Sequence, residues 1–396
     1  MLRFTTAGES HGPALISILE GAPAGIPLLA SDIDEQLARR QQGYGRGRRM
    51  QIEHDTVELL SGVRAGETIG SPIGMLIRNR DWKNWQAIMD PAPDARGAEA
   101  RKRVVTRPRP GHADLAGMLK YAREDARDIL ERASARETTA RVAAGAVCRR
   151  FLRELGITLG SHVAELGGIV AATPAQWPND MNAAADESQL RTLDPDAEQR
   201  MVELIDKVKQ EGDTLGGVCE VVCHGLPVGL GSHVSWDRKL DGRIGAAMMS
   251  IHAVKGVEIG SGFDAARRRG SEVHDEIHSS SDKPLAGNLS RYTNRAGGLE
   301  GGMTNGEPLI VRVAMKPIST LMRPLATVDI ETGEAAAAVA ERSDVTAVPA
   351  MGVIAEAMLA FVVAQAMIEK FGGDSLAELT RNRDGYLASI AERRGA

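Results

Sequence analysis

The stretch TRPRPGHADLAGMLKYAREDARDILERASARETTARVAAGAVCRRFLREL, residues 106–155, sets the frame of the fold and carries the first candidate for chemistry. Pro108 and Pro110 fix φ and push their neighbours out of the helical region, so the chain is extended and stiff up to Gly111. Beyond His112 the periodicity predicts a helix over 115–123 and a longer one over 125–155. Ile129, Ala133, Ala140, Val147 and Phe151 trace the buried stripe of the longer helix, with Arg132 and Arg136 on a neighbouring face. Ala133, Ser134 and Ala135 are small enough for a flat ligand to lie against it. The rigid loop holds His112 beside Arg107 and Arg109, and a histidine among guanidiniums points to anion chemistry. Taken alone, the same residues also fit a surface turn with a solvated histidine.

Composition narrows the classes. With 396 residues, 43% hydrophobic and 26% charged, the chain has enough globular material for one large domain or two modest ones. Aromatics at 3% beside 43 glycines predict an aliphatic core and many loops. A net charge of −5 speaks against a general nucleic-acid or membrane-surface binder, although the basic residues are clustered. Cys148, Cys219 and Cys223 are too few for a disulfide framework and imply a reduced, cytoplasmic chain. The CEVVC spacing puts Cys219 and Cys223 on one face of a strand, as small buried hydrophobes rather than metal ligands. The start MLRFTTAGESHG has no apolar signal core, and no run is expected to reach the roughly 18 apolar residues of a membrane span.

Upstream, a strand over 2–6 is broken by Gly8-Glu9-Ser10-His11-Gly12, which matches the G-x-S-x-G of a serine hydrolase. Only one strand precedes it and Pro13 follows directly, so a Gly-framed polar turn close to a ligand is the other reading. Ser31-Asp32-Ile33-Asp34 resembles a capping box, opening a helix to about Gln42 that delivers Arg39 and Arg40 to the glycine-rich loop 43–49. Five arginines in the eleven residues 39–49 make either an anion clamp or a solvated loop. Downstream, two or three strands are expected over 50–80, a long connection over 90–103 and a loop over 171–194. Asp194-Pro195 opens an amphipathic helix, followed by a strand over 216–224, a helix over 238–251 and a strand over 254–259. The polar segment 271–294 reads as a long loop able to act as a lid. A strand over 309–315 runs into Lys316-Pro317-Ile318-Ser319-Thr320, whose ammonium, hydroxyls and backbone N–H groups suit a phosphate. An apolar helix over 353–371 closes the core.

AGESHG, GYGRGRRM, RPGHAD, RASARET, GDTLGG, NRAGGLEGGMTNG, AMKPIST and RSDVTAVP follow one another in an order and spacing that resembles the chorismate synthase family, over nearly the whole chain. The resemblance implies an α+β fold, a β-α-β sandwich with helices packed between two antiparallel sheet layers. It implies one domain over 1–396 with long functional loops at about 39–50, 89–112 and 271–306, assembled as a homotetramer. The implied activity is that of a lyase of the shikimate pathway. It converts 5-enolpyruvylshikimate-3-phosphate to chorismate by anti-1,4-elimination of phosphate, and needs reduced FMN without net redox change. By family position, Arg40, Arg46, Arg49, Arg109, Arg136 and Arg342 hold the anionic groups of the substrate, and His11 protonates the departing phosphate. His112 stands near flavin N1, with Ser10 and Asp344 in a proton relay. Arg132, Ala133, Ser134, His252, Ala253, Gly301, Lys316 to Thr320 and Arg342 fall at FMN positions, His252 where many relatives carry Gln or another residue. No fused reductase segment is recognised, so an external flavin reductase is implied. NADPH would act only indirectly, although Arg40 and Arg46 could meet a nicotinamide phosphate in bifunctional relatives.

Overall fold

Leu15, Ser17 and Leu19 are buried on one face of a strand whose Ile16 and Ile18 stay 39% exposed on the other, the alternation of a sheet covered on one side. The computed structural model describes residues 1–47, 54–92, 103–279, 289–339 and 344–392. Strands β1 (Arg3–Ala7), β2 (Ala14–Glu20), β3 (Val57–Leu59) and β4 (Ile73–Arg78) form one layer in the order β1-β2-β4-β3. Strands β5 (Thr158–Leu166), β6 (Ile169–Val170), β7 (Gly217–His224), β8 (Val254–Ile259) and β9 (Leu309–Met315) form the second, in the order β8-β9-β7-β5-β6. Every pairing in both is antiparallel.

The longer helices are α1 (Ala30–Gln41), α2 (Asp114–Tyr121), α3 (Arg127–Ala133), α4 (Thr138–Glu154), α5 (Met181–Asp186), α6 (Pro195–Glu211), α7 (Leu240–Met249), α8 (Val348–Phe371) and α9 (Leu376–Glu392). Helices α1, α4 and α8 pack on one another between the two layers, α4 against β2 and α8 against β5 and β7, so the sandwich is β-α-β. Small residues allow this close approach. Gly145 of α4 lies so near α8 that an added Cβ would stand 2.4 Å from the Ala357 Cβ and 2.6 Å from its carbonyl oxygen. The core is aliphatic, with Cys219, Val221 and Cys223 of β7 buried in it. A smaller cluster of Val105, Met118, Ala126 and Leu130 seats the proline-rich stretch on α2 and α3.

Several sequence expectations change. The helix expected over 125–155 is two helices, because Ser134 between α3 and the turn leading into α4 is extended at φ −66° and ψ 143°. Neither Ser nor Ala is a strong breaker, and only the serine's local cap and the packing around it reveal the interruption. Helix α1 begins at Ala30, one residue earlier than the expected box, and the Asp32 carboxylate accepts the Leu29 N–H at 2.7 Å. The loop expected over 171–194 contains α5, whose first turn is capped by the Asp180 carboxylate. Within 271–294, Ile277–Ser279 pairs with Leu289–Arg291 in an antiparallel hairpin, so the described ends are not structureless; residues 280–288 lie outside the described residues. Helix α8 is long and apolar enough to cross a membrane, contrary to the sequence reading, but 83% of its apolar window is buried, as befits a core helix.

Candidate active site

The interruption at Ser134 is what builds the site. Its Oγ accepts the Arg136 N–H at 3.3 Å and caps a short turn, Ala135–Glu137, before α4 begins. In an unbroken helix Arg132 and Arg136 would lie one turn apart on one face. Here they serve different partners. Arg132 stays half-exposed and ties α3 to β1, donating to the Thr6 carbonyl at 2.9 Å and the Gly8 carbonyl at 3.1 Å. Arg136 is buried and donates to Asp55 Oδ2 at 2.6 Å and Asn79 Oδ1 at 2.9 Å.

Arg40, in the last turn of α1, reaches the same place. Its Nε donates to Thr138 Oγ1 at 3.0 Å and its Nη2 to the Ala135 carbonyl at 2.8 Å. Burial lowers Arg40 to about 9, with Asp55 opposing and Arg46 and Arg136 adding to the fall. Arg46 pairs with Asp344 at 2.9 Å, and the other oxygen of Asp344 accepts the Gly47 N–H. Three of the expected substrate arginines, Arg40, Arg46 and Arg136, thus share one electrostatic neighbourhood with two carboxylates, Asp55 and Asp344, leaving a positive surplus suited to a polyanion. Arg49 and Arg342 lie outside the described residues.

The turn between β1 and β2 brings Ser10 and His11 against the end of α3. Ser10 is buried; its N–H donates to the Glu131 carbonyl at 3.0 Å, and its Oγ accepts from Ser134 Oγ at 3.1 Å. His11 Nδ1 lies 2.9 Å from Glu131 Oε1, and its ring stacks on Trp85.

A second group forms around the proline-rich stretch. Arg109 donates from Nε to Asp114 Oδ2 at 2.9 Å and from Nη1 to Thr320 Oγ1 at 3.0 Å, while His112 Nδ1 meets Asp114 Oδ1 at 2.5 Å. Burial alone would raise the Asp114 carboxyl, but His112 and Arg109 outweigh it and hold it far below the usual carboxylate range. Arg109 therefore sits with the positions expected to hold cofactor rather than with Arg40 and Arg136. Lys316 Nζ donates to the Gly111 carbonyl at 2.9 Å. Gly111, at φ +76°, leaves a space there that a Cβ would fill, 3.6 Å from Lys316 Nζ and 3.7 Å from the Ser319 Cβ. The Ile318 carbonyl accepts from Thr214 Oγ1 at 2.8 Å.

His252 joins the two groups. Its Nδ1 is 3.9 Å from Glu137, which also binds Thr6 and Arg141, and the next residue, Ala253, accepts the Lys316 N–H at 3.0 Å. Burial lowers the His252 imidazole, with Glu137 opposing. Ala253 is held at φ 65°, a conformation that costs a non-glycine residue energy and clusters at functional sites. Gly301 turns the hairpin Leu299–Glu300/Met303–Thr304, which docks at the start of α7 through a Leu240 N–H to Gly302 carbonyl bond of 2.9 Å. His252 follows the other end of that helix, whose ten residues span about 15 Å.

Sequence reasoning passed over Glu131, Glu137, Asp114, Asp55, Asn79 and Trp85. The first three stand inside ERASARET and RPGHAD, beside residues already singled out. Asp55 and Asn79 carry no local signal, because only the packing of β3 and β4 brings them to Arg136.

An antiparallel β-α-β sandwich that gathers guanidiniums, two carboxylate-backed histidines and a lysine along one connected line defines an enzyme for a polyanionic substrate. The chain belongs to the chorismate synthase family, whose sequence model matches residues 2–368. It is 59% identical over 398 aligned residues to the chorismate synthase of Symbiobacterium thermophilum, covering 99% of this chain and all of that one. The Mycobacterium avium chorismate synthase is 57% identical, covering 99% of this chain and 98% of that protein. A crystal structure of chorismate synthase superposes with a TM-score of 0.79 at 44% identity, covering 99% of this chain and 98% of that one. The family assignment removes the serine-hydrolase reading of Gly8–Gly12.

Proposed function

We propose that the group around Arg40, Arg46 and Arg136 receives the carboxylates and phosphate of 5-enolpyruvylshikimate-3-phosphate, and that the adjoining group around His112, His252 and Lys316 holds reduced FMN. The activity is that of the family: a carbon–oxygen lyase of the shikimate pathway that eliminates phosphate in an anti-1,4 sense to give chorismate. The observation that carries the site reading is the surplus of guanidinium over carboxylate at Arg40, Arg46, Arg136, Asp55 and Asp344. A globally acidic chain concentrates positive charge there because its substrate has three anionic groups.

The residues fit a bound flavin phosphate and ring. His252 Nδ1 is buried with no hydrogen-bond partner among the described residues, and the Gly111 cradle is open beside Lys316 and Ser319. Lys316, Ser319 and Thr320 would take the phosphate, and Arg132, Ser134, His252 and Ala253 would line the ring. When bound, reduced FMN supplies electron density to the allylic system as the phosphate departs, with no net oxidation. His11, reached through Nε2, gives a proton to the leaving phosphate oxygen, a role that typically accelerates a reaction about 10²- to 10⁴-fold. Asp114 sets a fixed negative charge behind His112 and Arg109. Ser10, bonded to Ser134, and Asp344, which also holds Arg46 and Gly47, would form the relay for the ring proton lost from substrate, with the Asp344 carboxylate as its acceptor. The same reading places the protein in the cytoplasm as a homotetramer supplied by an external flavin reductase, NADPH acting only through that reduction. Its three buried free thiols support a reducing compartment.

The test is an anaerobic assay of phosphate and chorismate release. Turnover is expected with reduced FMN and none with oxidised FMN, with many chorismates formed per flavin oxidised. Equal amounts of chorismate and oxidised flavin, or full activity with oxidised FMN, would overturn the cofactor reading.

A further inference from the structure

Glu131 is 2% exposed at its side chain, whereas the His11 side chain in front of it is 17% exposed. Both carboxylate oxygens lie within 3.0 Å of His11 Nδ1, Oε2 also accepts the His11 backbone N–H at 2.9 Å, and Oε1 accepts from Arg127 Nη1 at 3.0 Å. One carboxylate therefore holds both the main chain and the ring of the same histidine. A buried carboxyl would ordinarily be pushed toward its neutral form, but His11 and Arg127 outweigh burial and keep Glu131 ionised at neutral pH. The flat face of the imidazole is fixed independently. It stacks on Trp85 with centroids 3.8 Å apart and planes 25° from parallel. The Trp85 ring is itself covered by the guanidiniums of Arg103 at 4.4 Å and Arg127 at 5.0 Å.

We infer that Glu131 and Trp85 are the positioning residues of His11: ionised Glu131 holds the ring proton on Nδ1 so that Nε2 is the nitrogen through which the transferred proton passes, and Trp85 fixes the plane in which it travels. This rests on the proposed acid role of His11. An anionic acceptor on one ring nitrogen selects the tautomer and stabilises the imidazolium. Among the described residues, the charged groups around the His11 ring are Glu131 and Arg127 from α3 and Arg103 across Trp85. Of these only Glu131 meets the ring nitrogen as an anion. A purely structural ion pair would hold the turn between β1 and β2 without dictating the ring's protonation.

The test uses Glu131→Gln, Glu131→Asp, Trp85→Leu and His11→Ala in the full chain, with thermal melts to establish folding. Ring ¹⁵N NMR of the free protein above neutral pH should show His11 as the Nδ1–H tautomer in wild type and as a mixture in Glu131→Gln, whose amide can donate as well as accept. With reduced FMN, Glu131→Gln should lower kcat about 10- to 100-fold, less than the roughly 10²- to 10⁴-fold loss of removing the acid itself. KM for the enolpyruvyl substrate should stay within about twofold, as expected when an interaction that acts in the transition state is lost. The alkaline fall of the pH–rate profile should move to lower pH. Glu131→Asp, still anionic, should keep the wild-type profile at reduced kcat. Trp85→Leu should reduce kcat and leave the tautomer unchanged. A wild-type tautomer, kcat and pH profile in Glu131→Gln, with His11→Ala inactive, would overturn the inference and leave the acid role standing. Near-normal turnover in His11→Ala would instead remove the acid role, and the inference with it. If Glu131→Gln fails to fold, unchanged kcat in Glu131→Asp overturns the inference.

Discussion

Glu356→Gln should cost the fold several kilocalories per mole, and the size follows from where that carboxylate sits. It is 2% exposed in the middle of α8 and accepts from Arg39 at 3.0 and 3.1 Å, Arg149 at 2.5 Å, Arg191 at 3.3 Å, Ser161 at 2.6 Å and Asn182 at 3.2 Å. Burial opposes its ionisation, yet the three guanidiniums hold it at about 2 against an ordinary 4.5. A difference of that size corresponds to roughly 3 kcal/mol at about 1.4 kcal/mol per unit. Because the folded value is the depressed one, this stability is fully present above about pH 4.5 and is lost as pH falls toward 2. Removing one partner from a buried ionic set costs about 3–5 kcal/mol, in agreement. Asp186, paired with Arg39 and Arg191, is then the remaining anion of the cluster, and burial already draws Arg191 down to about 10. With about 2.1 cal/mol/K per residue of unfolding entropy over 396 residues, the loss translates to a Tm lower by about 4–6 °C. Scanning calorimetry at pH 7 should show that drop, and the gap to wild type should narrow at pH 3. A Tm within about 1 °C of wild type at pH 7, or an undiminished gap at pH 3, would refute the assignment of these interactions to stability.

Three further outcomes are expected. His11→Ala should lower turnover by about 10²-fold or more while flavin affinity, read by fluorescence titration, stays unchanged. Arg40→Ala should raise KM for the anionic substrate about 10- to 100-fold, because a charge-assisted hydrogen bond contributes about 1.5–3 kcal/mol; an unchanged KM would detach Arg40 from binding. Burial pushes the thiols of Cys148 and Cys219 up to about 12 and that of Cys223 higher still, so a thiol reagent at pH 8 should find none of the three in the native protein and all three after denaturation.

Much of the site was legible because its parts are local. Arg40 at the end of an amphipathic helix, His11 in a glycine-framed turn, Arg109 and His112 among prolines, and Lys316 to Thr320 after a strand each announce themselves within a few residues. Their partners do not. Asp55, Asn79, Glu131 and Glu137 reach the site through strand pairing and helix packing, across up to 131 residues of chain in the Thr6–Glu137 bond.

The sequence by itself determined the element types over most of the chain, the aliphatic core, the buried face of Cys219 and Cys223, and the anionic character of the ligand, because periodicity, composition and charge act over short distances. Only the tertiary structure decided that the helical stretch 125–155 breaks at Ser134, since an extended serine there is stabilised by its bonds to the Arg136 N–H and Ser10 rather than by any strong breaker. It likewise decided that Arg109 sits with Thr320 and Lys316 while Arg136 joins Arg40. It placed Arg39, one residue from Arg40, in the Glu356 cluster instead of the candidate site. Adjacent residues on a helix point about 100° apart, and which of two neighbouring arginines meets a buried carboxylate depends on the helix packed against it, information no local pattern contains.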